Sequence, residues 1–122
     1  MSFLRSNLAH MAGGFALMGG WAAFAHADHS FSTQVRSGVT QGLLTAFITL
    51  GLKRMVEAVA TRLSGLVGLI SPPILACAIS VSLLFTMHSL VGTPKVWTTL
   101  ALPSTVATIY AALYTFRLRQ TA

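Results

Sequence analysis

The sequence predicts an all-α integral membrane protein, a small antiparallel bundle of four transmembrane helices with both termini cytoplasmic. Three observations predict it. First, 54% of the 122 residues are hydrophobic and only 8% are charged, against roughly a quarter charged in ordinary soluble domains. Second, long stretches lack Asp, Glu, Lys and Arg altogether, among them the 22 residues between Arg5 and Asp28 and the 21 between Lys95 and Arg117. About 20 apolar residues suffice to cross a hydrocarbon core. Third, the eight basic residues stand singly or in pairs at the ends of the apolar runs. With Met1 inside, four spans place Arg5, Lys53, Arg54, Arg62, Arg117 and Arg119 on the cytoplasmic side and only Arg36 and Lys95 outside, the bias expected for short loops.

The chain has room for a single domain, residues 1–122. The first span is predicted over residues 8–27. Residues 1–27 also have the features of a signal peptide, with Arg5 at a positive start and Ala25-His26-Ala27 as a small-residue cleavage site; the length of the uncharged stretch favours an uncleaved span. Its small residues form two rows, Ala12, Ala16 and Gly20 on one and Gly19, Ala23 and Ala27 on the other. Such rows let helix backbones approach closely, and Ala12, Ala16 and Gly20 are the predicted packing surface. The polar stretch from Asp28 to Arg36 lacks apolar periodicity and is expected to be a loop or interfacial turn.

The second span, residues 37–57, carries the most informative pattern. Gln41, Thr45, Thr49, Lys53 and Glu57 recur every fourth residue and so line up along a helix. In lipid such groups must face protein or a wet cavity. Two roles follow: hydrogen bonding between helices, or the lining of a narrow pathway or pocket with Lys53 and Glu57 at its cytoplasmic mouth. Ser80, Ser82, Thr86, Thr105 and Thr108 are the expected partners in either role.

The third span is predicted over residues 72–89, with Ser71 capping a helix that starts at Pro72 and residues 63–70 as an interfacial or re-entrant piece. The competing arrangement is one long helix kinked at Pro72 and Pro73. Gly92-Thr93-Pro94 marks a turn, and Trp97 beside it suits an interfacial anchor. The fourth span covers residues 96–116, with a kink expected at Pro103 and Ser104 and Thr105 placed to satisfy the freed carbonyls.

Composition and motifs narrow the function classes. The net charge of +6 is not gathered into a basic face with interleaved aromatics, so nucleic acid is not an expected partner; lipids, other membrane subunits or further copies of the chain are. Under this topology His26, Asp28, His29 and His88 collect on the outer side. They are the one weak candidate set for a transition metal, although their spacing matches no established ligand motif. The plainer expectation is three solvated interfacial histidines. No cofactor is assigned.

Asp28 and Glu57, the only carboxylates, fall on opposite sides, which excludes paired acid-base chemistry, and no phosphate loop or nucleophile elbow is present. A non-enzymatic role is therefore expected. The first expectation is an accessory or structural subunit of a larger complex in a bacterial inner membrane. The alternative is a small oligomeric transporter, channel or lipid-carrier flippase using the face of Gln41, Thr45 and Thr49. In size and span number the chain is similar to minimal four-helix exporters, but it carries none of their signature motifs.

Overall fold

The computed structural model describes residues 2–121, and side chains from residue 7 to residue 120. Arg5, counted in the charge bias above, lies outside the described side chains. Four helices follow one another, α1 (Ser2–Ala25), α2 (Phe31–Arg62), α3 (Gly65–Val91) and α4 (Val96–Thr121), with no strand among the described residues. Three contain stretches long and apolar enough to cross a membrane: Asn7–Ala25, Gly65–Val91 and Val96–Gln120. The exception, α2, carries Arg36, Lys53, Arg54, Glu57 and Arg62 within its length.

Successive helices run antiparallel, as short connections require. Asn7 near the start of α1 meets Lys53 late in α2, and Gln41 early in α2 meets His88 at the end of α3. α2 and α4 approach across the short diagonal, whereas α1 and α3 have no Cα atoms within 8 Å of each other. The tight core consists of Leu52, Val56, Ala76 and Ala111, with Ile48, Met55 and Tyr114 packed against it. It therefore joins α2, α3 and α4, while α1 is held mainly by α2.

The contact between α1 and α2 is made by glycine. A Cβ on Gly19 would sit 2.8 Å from the carbonyl oxygen of Gly38 and 3.4 Å from Cα of Gly42; one on Gly38 would sit 3.1 Å from the oxygen of Gly19. The backbones touch here because neither side has a side chain to hold them apart. Ala12, Ala16 and Gly20, the predicted packing row, lie exposed on the outside of α1, and a Cβ on Gly20 would meet nothing within 4 Å. The row used within the chain is the other one, Gly19 with Ala23, because only it faces a glycine pair four residues apart on α2.

Two helix starts differ from those expected. α2 begins at Phe31, because Ser30 adopts an extended conformation and its hydroxyl accepts the amide of Thr33, a side-chain N-cap that satisfies one of the free first-turn donors. Only residues 26–30 connect α1 to α2. α3 begins at Gly65 rather than at Pro72, so residues 63–70 are not a separate interfacial piece and both prolines lie inside one continuous helix. The proline ring is compatible with a helical φ, but each proline removes an amide donor and crowds the carbonyl four residues before it, which frees the carbonyls of Gly68 and Leu69. The Leu63-Ser64-Gly65 joint is clamped by Arg119 of α4, whose guanidinium donates to the carbonyls of Leu63 and Gly65 at 3.1 and 2.9 Å. Gly65 takes φ +65°, where a side chain would be strained.

Candidate functional site: a polar girdle and a cavity between the helices

Spacing by four residues does not keep the polar row of α2 on one face. At 3.6 residues per turn each step advances about 40°, so successive members meet different neighbours. Gln41 is completely buried and faces α3. Its Nε2 donates to Thr45 Oγ1 at 2.8 Å, which leaves Oε1 to accept from His88 Nε2 at 2.8 Å. The other imidazole nitrogen, Nδ1, then accepts from the hydroxyl of Thr93 at 2.8 Å. Lys53 donates to Asn7 of α1 at 3.0 Å, and Glu57 accepts from the Tyr114 hydroxyl of α4 at 2.6 Å. Three members of the row thus bond three different helices.

The partner of Gln41 is His88, not one of the expected serines and threonines. Thr105 and Thr108 bond carbonyls of their own helix, those of Ala101 and Ser104, while the hydroxyls of Ser80 and Ser104 have no partner. His88 is placed by the end of α3. Gly92 adopts φ +86° as the C-cap, and the chain turns back so that the Thr93 amide donates to the His88 carbonyl at 2.9 Å. The left-handed residue is what returns Thr93 to the imidazole. A histidine four residues before a Gly-Thr turn was the available sign.

His26 and His88 are both fully buried, which corrects the expectation of solvated interfacial imidazoles. Nδ1 of His26 donates to the Ala22 carbonyl at 2.8 Å, and Nε2 accepts the amide of Lys95 at 3.2 Å. The ring therefore pins the end of α1 to the start of α4, beside Trp21, whose indole N–H reaches the carbonyls of Thr98 and Thr99 at 3.3 and 3.2 Å. His29 packs edge-on against His26 with centroids 5.3 Å apart and bonds Asp28. The nitrogens of His26 and His88 are all engaged within the protein, and no group of three or more metal-ligating side chains occurs among the described residues.

Asp28 receives Lys95 Nζ at 3.0 and 3.2 Å on its two oxygens. That ammonium, followed by the carboxyl's own backbone amide and by His29, lowers its pKa from 3.8 to about 2. A depressed carboxylate contributes stability above its unfolded pKa and loses it as the pH falls through the folded one. Melting temperatures taken from pH 5 down to pH 2 should therefore converge for wild type and Asp28→Asn, with the difference fading between about pH 4 and pH 2. A constant offset across that range would mean that the ion pair contributes nothing. The side chain is two-thirds exposed, so the effect is small.

Between these contacts and the inner core lies a cavity of about 210 Å³, bordered by all four helices where α1 and α3 fail to meet. His10, Thr45, Thr49, Ser80 and Tyr110 are its polar lining residues, Leu17, Ile48 and Leu84 are among the apolar ones, and the exposure of His10 and Leu17 shows that it opens to the outside. Comparison of the chain with family models, with curated proteins and with solved structures finds no match.

Proposed function

We propose that this chain is a non-catalytic integral membrane protein, an accessory or structural subunit of a larger membrane complex. In this reading all four helices span, both termini are cytoplasmic, and the host is a bacterial inner membrane, in keeping with the six-to-two distribution of its basic residues. The observation that carries it is the pair of small-residue faces on α1. One, at Gly19, is used within the chain; the other, at Ala12, Ala16 and Gly20, is uncovered and offers a neighbouring helix the same close approach. The polar groups of α2 support the same reading. Gln41, Lys53 and Glu57 bond neighbouring helices.

Purification in mild detergent followed by native mass spectrometry tests this. Other membrane proteins in fixed ratio are expected with the wild type, and Ala16→Leu with Gly20→Leu should release them without lowering the melting temperature of the chain itself. A homodimer alone that carries solute flux in liposomes would overturn the subunit reading. It would favour a small oligomeric transporter, channel or lipid-carrier flippase, for which the cavity wall at Thr45 and Thr49 is the favouring feature.

A further inference from the structure

We infer that the cavity between the four helices is a binding site for a neutral, ring-sized molecule bearing carbonyl oxygens, of the quinone type. The inference does not depend on the subunit reading, since the site lies wholly within one chain.

Size comes first. The space is about 210 Å³, and an apolar cavity of about 150 Å³ is known to admit benzene, so a substituted six-membered ring fits. It persists because α1 and α3 stay apart, α1 being fixed to α2 by backbone contact at Gly19 and Gly38. Charge comes next. No Lys, Arg, Asp or Glu borders the cavity, the exposed His10 is its one imidazole, and the rest of its wall is mostly aliphatic. A charged ligand seated against Ser80 and Thr45 would lose its hydration with no carboxylate or ammonium in return, which favours a neutral one.

Hydrogen bonding then fixes the class. Ser80 is fully buried, lines the cavity, and its hydroxyl has no partner. Other hydroxyls of the bundle bond the carbonyl four residues back, as Thr49 does to Thr45 and Thr108 to Ser104; Ser80 does not take the carbonyl of Ala76. A buried hydroxyl without a partner is unfavourable, and a ligand acceptor removes that penalty. Thr45 of α2 also lines the space; its Oγ1 already accepts from Gln41, which leaves its own proton to donate. Tyr110, half-buried, adds a third hydroxyl to the wall. Ser80 and Thr45 thus each have a proton to give, and acceptor oxygens on the ligand would take them. A ring bearing two carbonyls offers one acceptor to Ser80 and a second to Thr45.

The test uses the full chain in mild detergent with two probes of the same shape, duroquinone and its hydrocarbon counterpart durene, and reads binding by saturation-transfer NMR titration. Duroquinone should bind more tightly than durene. Ser80→Ala should weaken duroquinone about threefold to twentyfold, the range of one interhelical hydrogen bond in a membrane protein, and leave durene unchanged. Ala107→Leu, which fills the space, should abolish both while the melting curve shows the fold retained. Equal affinity for the two probes, unaltered in Ser80→Ala, would reduce the cavity to an apolar void. Absence of binding by either probe would mean that the space holds only water, and would equally overturn the inference.

Discussion

Replacing Gly19 with Leu is expected to be among the most damaging single changes in this chain, and replacing Gly20 with Leu to be nearly silent in the isolated chain. The two positions are adjacent, but a Cβ at Gly19 meets a carbonyl oxygen and an α-carbon of α2, at 2.8 and 3.4 Å, and a Cβ at Gly20 meets nothing within 4 Å. Backbone atoms cannot rotate aside as a flexible side chain can. α1 must move away from α2 and forfeit the rest of that interface, at about 1–3 kcal/mol or more for overpacking of this kind. Gly20→Leu should stay within about 0.5 kcal/mol. Thermal unfolding of both variants in the same detergent, followed by circular dichroism, measures the difference; identical midpoints would mean that the close approach of the two backbones is not what holds α1.

The second large effect is expected at the buried junction of Gln41 and His88. Gln41→Leu leaves the Nε2–H of His88 without an acceptor in a fully buried site, and His88→Leu leaves Gln41 Oε1 and the Thr93 hydroxyl unpaired. Each change should lower stability by about 1–3 kcal/mol, the desolvation cost of an orphaned polar group. The double variant should lose less than the sum. Coupling energies between polar side chains in membrane proteins average about 0.6 kcal/mol and reach about 1.7, so a double-mutant cycle should fall in that range. Strict additivity would show that the two side chains do not interact, whatever their separation.

Much of the architecture was legible because long uncharged apolar runs leave few options. Uncharged stretches of about 20 residues or more give three of the helices and their approximate limits, and an amide at Gln41 inside the shorter uncharged run between Arg36 and Lys53 announces a buried contact. What it contacts was not legible, since His88 lies 47 positions away and at the end of an apolar run looks like any interfacial histidine. Nor did composition decide between the two small-residue rows of α1. The deciding partner, Gly38 and Gly42, is on another helix. The prolines of α3 misled for a local reason: Ser71-Pro72-Pro73 is a good helix start, yet a proline also fits a continuing helix wherever the freed carbonyls are tolerated. The cavity was out of reach altogether, because an unfilled space is a property of how four surfaces fit and of no one segment.

The side-chain bonds between helices fall into two belts, one of Trp21, His26, Gln41 and His88 and the other of Asn7, Lys53, Glu57, Tyr114 and Arg119. Among the described residues the waist between them has none, so the bundle resembles a barrel whose staves are hooped only at the ends. Staves fixed in that way cannot collapse inward to fill the middle, and the void survives in the native state but not in the unfolded one. Hydrostatic pressure favours whichever state occupies less volume, which makes compression, more than heating, the perturbation to which this waist should yield first.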